Sequence, residues 1–289
     1  MSVKDFFRKK VLNVPAKAKK QLETRGVEYS LDSFLKQVSE GNEEIALLFI
    51  ESGMDVEAAD SNGESVLMKA SQLGSAEVVK ALLQAGADPN RKNQEGTTAL
   101  IYAIRTHQFE IARVLIAGGT NVDARDNAGF SSIMLSVLEN EFAIAEAMIN
   151  AGADVLVQNH ATLETALILA AQRGYTDLVD LLLKNAITKE DRDAKDKKGM
   201  TALAWAALNG HVDVVQLLCS KKANPNLADA SGMTPFLHAC AAGHAEVVLA
   251  LLDSGADIHV RNKNNQSGLH LAAGNSGVTS LLREKGAKD

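Results

Sequence analysis

The stretch TALAWAALNGHVDVVQLLCSKKANPN, Thr201 to Asn226, decides the fold. It opens on a hydroxyl residue that can cap the free N–H groups of a helix start. An Ala-rich segment follows, small enough for close helix approach, and Gly210 then suits the left-handed turn that ends a helix. The second segment is a run of paired apolar residues. Nothing in the stretch could do chemistry, so its use must lie in how copies of it assemble.

The same design recurs along the chain. The apolar residue two places after each helix start falls at Phe34, Leu67, Leu100, Ile133, Leu167, Leu203, Phe236 and Leu269, at spacings of 33, 33, 33, 34, 36, 33 and 33. Two residues earlier stand Asp32, Ser65, Thr98, Ser131, Thr165, Thr201, Thr234 and Ser267, each expected to serve as N-cap. Gly41, Gly74, His107, Asn140, Gly174, Gly210 and Gly243 are placed to turn the first helix into the second. Second helices such as VVKALL, IARVLI, LVDLLL and VVLALL are apolar around most of their circumference, which a lone helix cannot sustain in water. Neighbouring repeats must bury them. Gly53, Gly86, Gly119, Gly152 and Gly255 close these helices, with Ala186 and Lys222 in the same place in two units.

Insertions confirm the plan. In the first seven units the reference apolar residue and the closing position keep a separation of 19, so the extra length falls in VQNHATLET and NAITKEDRDAKDKKG. A surface loop absorbs extra residues, whereas a packed helix pair would rotate its buried face. Only the last unit is shorter, at its turn GNSG, as befits a terminal repeat.

TPFLHACAAGHAEVVLALLDSGADIHV, Thr234 to Val260, resembles the ankyrin repeat in its T-P-L-H-like start, its Gly-His turn and its closing G-A-D. Eight units in register extend the resemblance over about 260 positions. It implies an all-α ankyrin-repeat solenoid of about eight helix-turn-helix units with β-hairpin or loop fingers over residues 30–289, whose concave face binds other proteins. Thr162, in place of the expected loop Gly, and the exchanges at Ala186 and Lys222 put the regularity of the middle units in question. The leader KKQLETRGVEYSLDSFLKQVSEGN resembles the opening of bacterial ankyrin proteins, among them self-protection proteins of predatory bacteria. That likeness implies an immunity-type inhibitor whose partner is a peptidoglycan peptidase. A host-directed effector, or a cytoplasmic adaptor that tethers without inhibiting, is the alternative.

Composition bounds the function further. Net charge is −6 and aromatic content 4%, which disfavours nucleic acid, whose phosphates need a basic face and whose bases need rings to stack on. Residues 1–25 nevertheless hold eight Lys or Arg against Asp5 and Glu23, a net of +6 that leaves −12 for the rest. Within residues 1–29, Phe6, Phe7, Val11 and Val14 recur at helical spacing between Lys and Arg; a capping helix is the first expectation, with contact to an acidic membrane or disorder as the alternatives. No apolar run reaches the roughly 18 residues of a membrane span. We expect a soluble chain, monomeric when free, cytoplasmic as written or periplasmic if a signal peptide once preceded it.

The survey of chemistry yields no enzyme, metal or cofactor site. His211, His238, His244 and His270 lie about a repeat apart and read as structural hydrogen-bonding groups. Cys219 and Cys240 read as buried small apolar residues, with a bond between them conceivable. Glu43 with Glu44, and Glu190 with Asp191, read as solvated charge. Apolar residues at exposed positions say more. Phe130, Met200 and Met233 follow the loop turn at the finger base, where they either anchor a partner or pack against adjacent fingers. Arg105, Glu139, Arg173 and Asn209 on the first helices would add polar contacts. Trp205 belongs either to the core or to the groove, and the long loop before Gly199 reads either as a contact surface, the first expectation, or as a tolerated insertion.

Overall fold

The computed structural model describes residues 15–185 and 188–288 and divides into two compact units, Met1–Asn127 and Ala128–Asp289. Phe6, Phe7, Val11, Val14 and Ala186 lie outside the described residues.

In the first unit a helix over residues 15–24 (α1) precedes three helix pairs: α2 (Leu31–Ser39) with α3 (Glu43–Glu51), α4 (Val66–Leu73) with α5 (Ala76–Gln84), and α6 (Ala99–Arg105) with α7 (Phe109–Ala117). First helices stack on first helices and second on second, giving two helical layers. Leu22 of α1 is fully buried, Arg25 just beyond it pairs with Glu44 of α3 at 2.5 Å, and Lys19 sits 4.6 Å over the Tyr29 ring.

The second unit continues the design with α8 (Ser132–Leu138) and α9 (Phe142–Asn150), then α10 (Ala166–Arg173) and α11 (Thr176–Leu183). After a one-turn α12 (Lys189–Arg192) come α13 (Ala202–Leu208) with α14 (Val212–Ser220), α15 (Pro235–Ala242) with α16 (Ala245–Asp253), and the short α17 (Gly268–Leu271) with α18 (Ser276–Glu284). The eight predicted pairs are thus present. α13 lies between α10 and α15, and α14 between α11 and α16. Val214, Val215 and Leu218 of α14 are wholly buried, each contributing on the order of 2 kcal/mol.

Hydroxyl caps begin most first helices. Ser65, Thr98, Thr165, Thr201, Thr234 and Ser267 each accept the N–H three residues on. Two positions depart from expectation. The cap of α2 is Ser30, which accepts from Ser33, while Asp32 falls inside the helix and places its charge in the positive first turn. Ser131 holds the cap position of α8 without a side-chain cap bond.

The inter-helix turn positions Gly41, Gly74, His107, Asn140, Gly174, Gly210 and Gly243 all have φ between +57° and +96°. Gly174 is needed for a second reason. A Cβ there would stand 2.6 Å from the His211 ring, whose Nε2 hydrogen-bonds the Gln172 carbonyl of the preceding repeat at 3.0 Å. His244 repeats the contact on Leu208 at 3.1 Å. These two histidines join repeats.

The fingers have a device of their own. Asp60, Asn93, Asp126, Asn159, Asp196, Asp229 and Asn262 recur at spacings of 33, 33, 33, 37, 33 and 33. In five of them the side-chain Oδ1 accepts the N–H groups two and four residues on, as Asp196 does from Lys198 and Met200. Where the loop is a residue longer, Asn159 accepts from Thr162 instead. The extra residue also shifts the left-handed position. Leu163, not Thr162, stands at φ +58°, where five other fingers have glycine and the last has Asn265. The fingers are hairpin-like loops, with isolated bridges at Ala59–Ser65 and Arg261–Ser267.

Each finger tip also donates one backbone N–H to the tip before it. In the first unit Gln94 donates to Asn62 at 3.1 Å and Asn127 to Glu95 at 3.0 Å. In the second, His160 donates to Ala128 (3.2 Å), Lys197 to Thr162 (2.8 Å), Ala230 to Lys198 (3.1 Å) and Lys263 to Ser231 (3.1 Å). The three-residue insertion leaves this ladder intact because it folds aside into α12, capped by Thr188 and Asp191, and Asp193 then accepts the Asn224 N–H at 3.1 Å.

Two stability measurements check this account. Lys222 closes α14 at φ +71°, a conformation costly to any residue with a Cβ. Lys222→Gly is expected to raise stability by roughly 0.5–1 kcal/mol in denaturant titration, the relief of strain exceeding the added unfolded-state entropy. Asp196→Ala removes the acceptor of two turn N–H groups and of the Trp205 indole N–H, 2.9 Å away. It is expected to cost about 2–3 kcal/mol and to shift the emission of Trp205, the chain's single tryptophan.

Candidate functional site

The polar face of the first unit is built largely from pre-paired groups. Lys69 of α4 bridges Asp60, at 3.3 Å, and Glu64. Glu64 also accepts from the Tyr102 hydroxyl, which in turn accepts from Asn93 Nδ2 at 3.1 Å. Burial, reinforced by the Glu95 carboxylate, pushes the Tyr102 hydroxyl above its ordinary range and keeps it a donor. Arg105 at the end of α6 is held by Asp126 at 2.5 Å. It is therefore a fixed cation rather than a roaming one.

The corresponding first-helix position of the second unit carries Leu135, Leu169, Trp205, His238 and Leu271. Leu135 and Leu169 are buried. Trp205 and His238 are half-buried, and each bonds the finger aspartate nine residues before it, His238 through Nε2 to Asp229 Oδ2 at 3.0 Å. Lys198 stacks its ammonium 5.1 Å from the Trp205 ring centre. Trp205 thus belongs wholly to neither core nor groove: it ties a first helix to its finger.

The finger-base residues part company. Phe130 and Met233 are half-buried, and Met233 Sδ receives Asn262 Nδ2 at 3.4 Å. Met200 is only 3% exposed, because its finger closes over it through the Asp196 turn, so its side chain serves packing and offers no surface. Of the helix-borne polar residues, Arg173 and Asn209 are exposed and Glu139 is half-buried. Asn209 is fixed by donation to the Gln172 carbonyl at 2.8 Å.

The groups with chemical potential are widely dispersed. Among the described residues no three His, Cys, Asp or Glu side chains gather as metal ligands. Cys240 is buried in α15, and burial pushes its thiol up to about 12. Cys219 is only half-buried, contrary to expectation, because the outer face of α14 is open there; burial raises its thiol while a hydrogen bond with Ser254 partly offsets this. Both cysteines are free thiols, and neither is activated as a nucleophile. Glu44 is held low by Arg25, and Asp191 by Thr188. A shallow cavity of about 190 Å³ opens beside Val155, Leu156, Leu167, Glu190 and Asp191. What each unit does offer is surface: finger bases, and finger tips joined by backbone hydrogen bonds. No helix among the described residues is long and apolar enough to cross a membrane.

The Asp/Asn row and the exposed Leu163 were not singled out by sequence reasoning. The row carries its own signal, since it repeats with the same period as the caps.

Comparison with known proteins agrees with this geometry. The family model for "Ankyrin repeats (3 copies)" matches residues 34–93, 86–159, 133–229 and 222–289. A search of curated proteins gives no significant match. Among solved structures, the crystal structure of the human ASB11 ankyrin repeat domain aligns at a TM-score of 0.67 and 24% identity, covering 78% of this chain and 99% of that one, a likeness of fold. The chain belongs to the ankyrin-repeat family, and its repeats constitute a protein–protein interaction scaffold.

Proposed function

We propose that the chain binds a partner protein along its finger bases and first helices, and that it acts by covering the partner's working surface. The observation that carries this is that Phe130 and Met233 stand half-buried at finger bases, while Arg173 and Asn209 are exposed at the far ends of first helices. An interface draws its energy from a few well-seated apolar anchors ringed by polar contacts. Fixing those contacts in advance lowers the entropy lost on binding.

The resemblance of the leader to bacterial ankyrin proteins supports a cell-wall peptidase as the partner, which a rigid scaffold would inhibit by blocking access to its cleft. The adaptor reading differs in one respect: it requires the partner to remain active while bound.

Capture from a native extract on Phe130→Asp, Met233→Asp and Arg173→Glu variants tests the face, with circular dichroism confirming that each folds. A partner that binds the parent chain is expected to be lost from Phe130→Asp and Met233→Asp and weakened about tenfold by Arg173→Glu, the range of a truncated interface contact. Unchanged capture by all three would place the interface elsewhere. Turnover of the captured partner at saturating scaffold then separates occlusion, which abolishes activity, from tethering, which leaves it intact.

A further inference from the structure

The tips of the later fingers carry cations that form no ion pair among the described residues. Lys195, Lys197, Lys198, Arg261 and Lys263 are all exposed. Their partners are uncharged: Lys195 Nζ donates to the Ala228 carbonyl at 2.7 Å, Lys263 Nζ to Ala230 at 2.7 Å and Arg261 Nη1 to Asn265 at 2.9 Å, while Lys198 rests on the Trp205 ring. The finger aspartates of this row, Asp196 and Asp229, are spent inside the finger turns. A cation fixed on a carbonyl keeps its full charge while losing its freedom to move.

The row is contiguous. Ladder bonds join Thr162 to Lys197, Lys198 to Ala230, and Ser231 to Lys263. Leu163 stands at its head, 42% exposed and at φ +58°. Neighbouring fingers place Gly129, Gly199 and Gly232 in that conformation. A leucine there is strained and leaves apolar surface in water, while its backbone N–H and carbonyl are held by Asn159 at 3.2 Å and Gln158 at 2.8 Å.

We propose that this row docks an acidic polypeptide segment bearing one large apolar residue. Its carboxylates meet Lys197, Lys198 and Lys263, and its apolar side chain covers Leu163. The inference rests on the protein-binding reading above and gives that partner a chemistry. A polypeptide is favoured over a phosphate polymer because the row is a single file of cations rather than a broad basic face. Aromatic rings on which bases could stack are scarce as well.

The test uses the full chain and fluorescence anisotropy with a labelled glutamate-rich peptide carrying one central leucine, and a second peptide with alanine in its place. The parent is expected to prefer the leucine peptide and to lose affinity as salt is raised. The variant Lys197→Glu/Lys198→Glu/Lys263→Glu should bind at least about tenfold more weakly. Leu163→Gly should raise the thermal midpoint by relieving the backbone yet erase the preference for leucine, a combination a merely structural role cannot give. Equal binding by the charge-reversed variant, equal affinity for the two peptides in the parent, or tighter binding to phosphatidylserine vesicles or poly-uridine RNA than to peptide would overturn the proposal. A natural partner lost from Met233→Asp but retained by the charge-reversed variant would overturn it too, while leaving the broader protein-binding reading standing.

Discussion

The structure depends on one constraint: a pair of short helices cannot bury its own apolar surface. A helix such as α14 is apolar on too many sides to be covered by α13 alone, and Val214, Val215 and Leu218 reach zero exposure only with α11 and α16 alongside. Stability therefore accrues at the joints between repeats as much as within them. This also explains why first helices are rich in alanine. Ala202, Ala204, Ala206 and Ala207 of α13 are all buried, between two helices that approach closely from opposite sides. A larger side chain there would push both neighbours away and open the outer layer behind them.

Polar groups at the joints obey the same logic. Histidine at the start of α14 and of α16 reaches back to a carbonyl left over at the end of the previous first helix, satisfying an acceptor that the helix itself cannot. The fingers use aspartate or asparagine to hold their turns from within, and a single backbone bond links tip to tip. With turn geometry supplied by one recurring side chain, the remaining finger residues are released from structural duty. That division of labour lets Lys197, Leu163 or Met233 vary without unfolding the repeat that carries them.

Most of the fold was legible in the sequence because a repeat imposes one period on everything at once. Caps, left-handed turns and apolar faces return together, 33 residues apart in all but two intervals, so the sequence alone places the eight pairs. The misplacements fall where the period is disturbed or where it is silent. The extra residue between Asn159 and Leu163 slid the left-handed position by one, and Ser30 took the cap of the first unit because the chain enters α2 from α1 rather than from a finger. Met200 shows the other limit. Periodicity tells which way a side chain faces but not how deeply the next loop covers it, and the Asp196 turn decides that depth.

The same physics bears on what kind of function such a chain can perform. Catalysis needs groups from several elements to converge on one point, shielded from water, with their protonation shifted by one another. A stack of identical pairs spreads equivalent positions along a row instead: seven finger aspartates or asparagines, one per joint, each already occupied by its own turn or by the first helix beside it. Such a row can match a partner at many points with spacing fixed in advance. Selectivity in such a molecule comes from which rungs depart from the repeat. In this chain those rungs carry an exposed leucine in a conformation suited to glycine, and lysines whose charges rest on carbonyls.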